Sequence, residues 1–262
     1  MTRQELIDYF KKAAHEIDFS FDSEDRKHLP EKFMVYMDLM LEHNNNVNLT
    51  AITEPKDIII KHFIDSLVLV KWSDVSDRSY FNFSLRNKSI IDVGTGAGFP
   101  GLVLAIVLEG YGSSITLLDP LKKRVNFLDV VVRELGLGNV VTTAQRSEDA
   151  GHDVQYREKF DIAVSRGVAP LYKLSEYCLP FVKEGGLFFA YKGKKARDEI
   201  VEAGFAICEL GGEVVGVTDV VTLPFSEDLR DIVAVRRADA MTGRKYPRKA
   251  NQIKNAPLLN KV

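Results

Sequence analysis

Ser89-Ile90-Ile91-Asp92-Val93-Gly94-Thr95-Gly96-Ala97-Gly98-Phe99-Pro100-Gly101 decides the fold of this 262-residue chain. The apolar residues Ile90, Ile91 and Val93 suit a strand covered on both faces, as in parallel sheets. Glycine then occupies positions 94, 96, 98 and 101, where a side chain would hold a ligand away from the backbone. Pro100 fits the first turn of a helix, where a missing N–H is no loss. Free amides at that helix start are expected to face whatever sits above the turn. Strand, turn and helix together make a nucleotide-type ligand site.

Two motifs overlap in the turn. Gly94-Thr95-Gly96-Ala97-Gly98, preceded by Asp92, is similar to the first motif of S-adenosylmethionine-dependent methyltransferases. Gly96-Ala97-Gly98-Phe99-Pro100-Gly101 also satisfies the dinucleotide fingerprint G-x-G-x-x-G. A dinucleotide would press a pyrophosphate against the turn, where the Asp92 carboxylate repels it. The sulfonium donor carries cationic groups and no phosphate, so Asp92 favours the methyl donor. A purely structural glycine turn is the remaining alternative.

Upstream, Leu6, Phe10, Ala13 and Ile17 mark an amphipathic helix. A second runs from Pro30 to Glu42, and Glu54-Pro55 opens a third carrying Ile58, Ile59, Phe63, Leu67 and Leu69. Between the last two, Asn44 to Thr50 reads as a polar loop, and Ser73 to Lys88 reads as connection. From Ile90 onward, strands at Ile115–Leu118, Val140–Thr143, Phe160–Ser165 and Leu187–Tyr191 alternate with helices. Those helices lie at Leu102–Leu108, at Leu121–Leu135 and from Pro170 to near Val182. Phe205–Leu210, Val214–Thr222 and Ile232–Arg237 complete the pattern as an antiparallel remainder. The order predicts an open, mostly parallel α/β sheet with helices on both faces, and with the methyltransferase-like turn the chain resembles a Rossmann-like class I methyltransferase with a seven-stranded sheet. Expected divisions are an N-terminal helical cap (1–75), the S-adenosylmethionine-dependent domain (76–240) and a basic C-terminal tail (241–262). Ligands in such sheets sit beyond the carboxyl ends of the strands.

Hydrophobic residues make up 45% of the chain and charged residues 27%, with a net charge of −2, as in ordinary globular proteins. The length permits one large domain, or one with a smaller partner. Cys178 and Cys208 form neither a disulfide framework nor a metal-ligand cluster, so no metal is expected. The polar opening Met1-Thr2-Arg3-Gln4-Glu5 gives no expectation of a leader, and Leu102–Leu108 is too short to span a bilayer. A cytoplasmic protein is expected.

Asp119 ends the second strand, where it can accept hydrogen bonds from ribose hydroxyls or cap the helix that Pro120 opens. Glu148, beside Ser147, follows the third strand at the place of an adenine ring, unless it is a plain surface charge. Arg166 closes the fourth strand and can hold a methionine carboxylate or an RNA phosphate. Its alternative is a salt bridge with Asp161 or Glu148. His62 and Asp65 share one helical face and look like a functional pair, with a core or capping hydrogen bond equally open.

No base or nucleophile is evident. Val168-Ala169-Pro170-Leu171 lacks the Asp/Asn-Pro-Pro-aromatic set of amino-directed methylases, and neither cysteine is placed to attack a pyrimidine ring. A ring nitrogen that already has a lone pair needs only alignment, so no catalytic residue is expected beyond positioning. Support from His62, Asp65 and Arg166 is expected there. Basic residues form three groups: Lys122, Lys123 and Arg124; Lys192, Lys194, Lys195 and Arg197; and Arg244, Lys245, Arg248, Lys249 and Lys254. Around the strand ends they would make a basic rim for nucleic acid, the alternative being a solvated tail.

With these residues in place, the chain resembles the bacterial 16S ribosomal RNA guanine-N7 methyltransferase family known as RsmG or glucose-inhibited division protein B. The resemblance runs from about Leu41 to Leu258. It is carried by Asn48-Leu49-Thr50-Ala51-Ile52-Thr53, Lys61-His62-Phe63-Ile64-Asp65-Ser66-Leu67, the glycine turn running into Phe99-Pro100-Gly101, Lys123-Arg124-Val125-Asn126-Phe127-Leu128, Ser165-Arg166 and Tyr246-Pro247-Arg248-Lys249-Ala250. It implies S-adenosylmethionine as cofactor, methylation of a guanosine at N7 in the decoding-site loop, and 16S ribosomal RNA or the small subunit as partner of a monomer. Family cofactor positions fall on Gly94, Phe99, Ser147, Glu148 and Arg166, beside Asp92, Gly96, Gly98 and Asp119 from the residue reading. Two departures are Asn251, where the family usually has Gly, and Ser147, where it often has Ala. The rivals are a nucleotide-dependent oxidoreductase using Gly96 to Gly101 and a non-catalytic RNA-binding protein on the same fold.

Overall fold

Alternate residues along the strands divide the core into two layers. Ile90, Ile115, Ile162, Val164 and Phe189 face one way; Ile91, Val93, Ala163, Phe188 and Ala190 face the other. That period of two, buried on both sides, makes these central strands nearly continuous apolar runs. The structure, a computed structural model, describes residues 1–73, 83–238 and 244–259. The expected division points near 75 and 240 lie outside the described residues.

The strands are β1 (Ser89–Val93), β2 (Ser114–Leu118), β3 (Val140–Thr143), β4 (Phe160–Arg166), β5 (Val182–Lys192), β6 (Gly212–Val217), β7 (Val221–Thr222) and β8 (Leu229–Arg237). They lie in the order β3-β2-β1-β4-β5-β8-β6, with β7 against β8. Strands β1 to β5 are parallel, and β8 joins β5, β6 and β7 antiparallel. Progression reverses between β1 and β4, so the crevice for a ligand opens above those two carboxyl ends.

One face carries α1 (Arg3–Glu16), α2 (Leu29–Val47), α3 (Pro55–Ile58), a π-helical stretch (Ile59–Ile64), α4 (Asp65–Ser73), α5 (Gly101–Val107) and α6 (Lys122–Leu135). The helical cap therefore shares its core with the sheet: Phe10, Phe33 and Phe63 belong to the same cluster as Ile90 and Val164. Opposite lie α8 (Leu171–Cys178) and α9 (Ala196–Glu209), with Ala150 of the short α7 (Ser147–Ala150) and Tyr246 of the C-terminal segment. The last helix is α10 (Ala250–Asn255). Among the described residues no helix is long and apolar enough to cross a membrane.

Several readings from sequence are corrected. Among the described residues the sheet has eight strands rather than seven. Val214–Thr222 is not one strand, because Thr218 turns both its amide and its hydroxyl onto Ile232, at 3.0 and 2.9 Å, and closes β6 there. The two-residue β7 then pairs separately with β8. Phe205–Leu210 belongs to the end of α9, where Ala203, Ala206 and Ile207 are buried at helical spacing. Strand β5 starts at Val182, earlier than Leu187. Finally, Asn44 to Val47 completes α2 instead of opening a loop. Asn48 ends that helix at φ +51°, and the Asn44 side chain holds the exit. Its Oδ1 accepts from Leu49 and Thr50 at 2.8 and 3.0 Å, while its Nδ2 donates to the Thr50 carbonyl at 2.9 Å. A tract of poor helix formers is thus retained by its own side-chain hydrogen bonds.

Candidate active site

Apart from Ala97, the residues of the glycine turn spend their amides internally. Gly94 and Thr95 donate to the Leu118 carbonyl at 2.9 and 3.0 Å, and Gly98 and Phe99 donate to the Thr95 carbonyl at 2.9 and 3.0 Å. Gly96 donates to Asp119 Oδ2 at 3.1 Å, Gly101 to Asp92 Oδ2 at 2.7 Å, and Leu102 to the Gly98 carbonyl at 2.8 Å. This overturns the expectation of free amides at the helix start. A pyrophosphate needs such donors, and here two carboxylates hold their places. The turn suits a donor without phosphate.

Asp92 lies beneath the turn, fully buried, and acts on a ligand only through the geometry it fixes. Burial pushes its carboxyl up to about 6, against the pull of its hydrogen-bonding neighbours. Asp92 therefore clamps the turn, and the direct repulsion read from sequence does not apply to a carboxyl so enclosed. Asp119 is 2% exposed; besides Gly96 it accepts from the Leu121 amide at 2.9 Å and meets Arg124 at 3.4 Å. Of the two sequence readings, the local one is seen: Asp119 pins the turn and holds the Leu121 amide at the entry to α6.

The glycines differ in what they face. A Cβ on Gly94 would lie 2.6 Å from Val168, and one on Gly98 would lie 2.5 Å from the Tyr36 hydroxyl, with φ +110°. Gly96 meets only the Gly94 carbonyl, at 4.0 Å. A cleft of about 240 Å³ runs from Gly94 and Val168 past Leu118 and Tyr177 to Ser147 and Glu148, and Ala250 forms part of its wall. Ser147 and Glu148 thus share one cavity with the glycine turn. Ser147 donates to Glu148 Oε2 at 3.0 Å.

On the other side of Gly167 a second cleft, of about 540 Å³, joins His62, Asp65, Arg166, Lys192 and Arg230. Arg166 pairs with Asp65, neither with Asp161 nor with Glu148. Its Nη1 donates to Asp65 Oδ2 at 2.6 Å and to the Lys61 and His62 carbonyls at 3.2 and 3.4 Å. The wider π-helical turn is what offers those carbonyls sideways, a use of π geometry common at functional sites. Arg230 grips the same carboxylate: its Nη2 donates to Asp65 Oδ2 at 2.7 Å and its Nε to Oδ1. Asp65 is 1% exposed, so the trio is an enclosed group of net charge +1.

His62 and Asp65 meet through Arg166 rather than as a pair of their own. The His62 ring stacks on Phe99 at 4.5 Å and 15°, Tyr36 stacks on Phe99 from the α2 side at 5.5 Å, and the Arg166 guanidinium lies 5.2 Å from the Phe99 ring. His62 Nε2 bonds Thr50 Oγ1 at 2.8 Å, while Nδ1 faces Arg166 Nη2 at 3.5 Å. Burial, then the Arg166 charge, lower its pKa to about 4, so the ring is neutral at pH 7. Cys178 is buried with its thiol pushed well up, and Cys208 is exposed on α9.

The three basic groups do not form one rim. Lys192 is 8% exposed; it bonds Glu199 at 2.7 Å and the Ala169 carbonyl at 2.8 Å. Arg124 is engaged with Asp119, and Lys245 with Glu209 at 2.9 Å. Arg248 donates its backbone amide, Nε and Nη2 to Glu176 at 2.8, 2.9 and 2.8 Å, and Glu176 is 1% exposed. It is therefore a structural residue and not a free phosphate contact. Lys122, Lys123, Lys194, Arg244 and Lys249 are exposed.

Around Arg248 the C-terminal segment is docked. The Pro247 carbonyl meets His152 Nε2 at 2.7 Å, and Arg157 donates to the Tyr246 carbonyl at 2.8 Å. This places Ala250 on the cleft. Sequence reasoning missed Arg230, Glu176, Tyr36, Val168 and Ala250, because each is joined to the site only by long-range packing.

Comparison with known proteins fixes the family. Residues 30–223 match the family described as rRNA small subunit methyltransferase G. The chain belongs to that family. A ribosomal RNA small subunit methyltransferase G from Clostridium botulinum (strain 657 / Type Ba4) is 40% identical over 255 residues, covering 97% of this chain and 99% of that one. One from Thermoanaerobacter sp. (strain X514) is 44% identical over 228 residues, covering 87% and 90%. A third, from Alkaliphilus oremlandii (strain OhILAs), is 43% identical over 254 residues, covering 97% and 99%. Membership agrees with the resemblance read from the glycine turn and its flanks.

Proposed function

We propose that this chain transfers a methyl group from S-adenosylmethionine to N7 of a guanosine in 16S ribosomal RNA, acting as a monomer. The observation that carries the donor assignment is the glycine turn whose amides are taken by Asp92, Asp119 and backbone carbonyls beside a cleft ending at Glu148. Family membership supports the RNA substrate. The donor supplies an electrophilic methyl group on a sulfonium, which a ring-nitrogen lone pair takes without releasing a proton.

The residues then have positioning roles. Gly94, Gly96 and Gly98 bring the backbone close, with Asp92 clamping their geometry. Asp119 holds the Gly96 backbone at the ribose, Ser147 and Glu148 bound the adenosine end, and Phe99 braces the turn on the Tyr36 and His62 stack. Arg166, its Nη1 held by Asp65 and its Nη2 facing His62, takes the methionine carboxylate. Neutral His62 is a platform and not a base. Lys122, Lys123, Lys194, Arg244 and Lys249 supply phosphate contacts.

The test is methylation of 16S ribosomal RNA with labelled donor, followed by nucleoside analysis. Labelled N7-methylguanosine is expected, and a product free of it refutes the reading. Calorimetry should show binding of S-adenosylhomocysteine and none of NADH. Sedimentation of the free protein should give the 29.4 kDa monomer.

A further inference from the structure

The hairpin joining β7 to β8 carries a feature the methyl-donor site does not use. In Leu223-Pro224-Phe225-Ser226 the Ser226 amide donates to the Leu223 carbonyl at 3.2 Å, closing a turn with Pro224 and Phe225 at its centre. Phe225 takes φ +56° in the position of such a turn that glycine or asparagine ordinarily fills. A bulky aromatic there is strained. Phe225 is nevertheless 54% exposed, so burial in a core does not offset that strain.

What surrounds the ring is specific. Tyr9 of α1 lies 5.3 Å away at 37°, and Lys12 Nζ lies 5.4 Å from the ring centre. Lys56 Nζ sits 5.3 Å from the Tyr9 ring, while the nearby Asp57 is paired with Lys61 at 3.4 Å. The ends of the same loop, Leu223 and Asp228, line the cleft of Arg166 and Arg230. A half-exposed aromatic with one ammonium group over it, a second over the neighbouring Tyr9, and loop ends that line a polar cleft are the elements that hold base and phosphate in a single strand.

We infer that Phe225, with Tyr9, Lys12 and Lys56, is a stacking platform for an unpaired base of the substrate RNA next to the nucleotide held in the cleft. This rests on the ribosomal RNA substrate proposed for the same chain. Helix α1 then does more than cover the core, since it supplies Tyr9 and Lys12 to an RNA surface shared with α3 and the hairpin.

The experiment compares full-length wild type with F225A, F225N and F225W. Each is assayed for binding to a 16S ribosomal RNA transcript, for S-adenosylhomocysteine affinity and for thermal stability. F225A and F225N should weaken RNA binding roughly 5- to 150-fold and leave ligand affinity unchanged. Asparagine tolerates positive φ, so F225N should be no less stable than wild type. F225W should bind RNA normally, and its indole emission should be quenched by the transcript when corrected for Trp72, the one native tryptophan.

F225N binding RNA like wild type, or an unquenched F225W, overturns the platform. A variant that loses stability, ligand affinity and RNA binding together overturns it as well, since the ring is then structural. Loss of methylation on assembled subunits with free-RNA binding intact assigns the face to a protein and also overturns it. Wild type failing to methylate ribosomal RNA refutes the proposed function instead, so the two failures are distinguishable.

Discussion

Replacing Arg248 by alanine tests whether the C-terminal segment is part of the donor site or an RNA contact. The substitution removes the Nε and Nη2 bonds to Glu176, at 2.9 and 2.8 Å, and the Nη1 bond to the Ala256 carbonyl, at 2.8 Å. Glu176, at 1% exposure, would keep its charge without a cationic partner. Stripping one member from a buried pair costs about 3–5 kcal/mol. The protein can escape that cost by letting the segment lift away and water reach Glu176. The docked-to-undocked ratio should therefore fall roughly 150- to 5,000-fold, and Ala250 should leave the cofactor cleft.

Limited proteolysis should cut R248A near the segment long before it cuts wild type. Calorimetry should show weaker S-adenosylhomocysteine binding. The salt dependence of RNA binding should keep its slope, because no phosphate contact is lost. A double variant, R248M/E176L, should recover part of the resistance by removing both charges. If R248A instead keeps a protected segment and full ligand affinity, while its RNA salt slope drops by about one, Arg248 is an RNA residue and the argument fails.

Three further outcomes are expected. His62 binds its proton less readily in the fold, so its contribution to stability is complete above pH 6.5 and is lost as pH falls toward 4, to an extent of about 3 kcal/mol. Buried Asp92 has the opposite sign, its penalty easing as pH falls through about 6, so denaturant titrations of H62Q should show the acid-side slope shallower than or inverted from wild type. R230Q should leave Asp65 free to draw Arg166 into a two-pronged pair and so raise the donor KM, and D65N in that background should restore it. Equal KM values in R230Q and wild type would show that the two arginines act independently. G98A should fold poorly, with its Cβ 2.5 Å from the Tyr36 hydroxyl, whereas G96A should fold at a strain of about 1–2 kcal/mol and lose ligand affinity. Melting curves and calorimetry on the two glycine variants check this.

What could be read from sequence was what depends on near neighbours. The strand before Gly94, the helix after Pro100 and the stop at Gly136 are set within a few residues, and all stand where expected. Ser147 and Glu148 were traceable because a parallel sheet brings the ends of β1 and β3 to one side. Asp65 was visible as a candidate, but not its partners: Arg166 and Arg230 lie 101 and 165 residues away. Lysines and arginines looked alike in the sequence, and only packing separates the enclosed Lys192 and Arg248 from the exposed Lys194 and Lys249. The asparagine tract misled because propensity counts residues singly, whereas Asn44 holds a whole helix exit.

The position of Ala250 in the cleft wall carries a consequence for synthesis. Chains emerge and fold from the N-terminus, and Gly94 precedes Ala250 by more than half the length of the protein. A nascent chain can assemble the parallel sheet, bury α5 and set the glycine turn while the donor cleft still has one side open. The wall that Ala250 supplies is the last part of the cleft to be made, after translation has passed Tyr246 and Arg248.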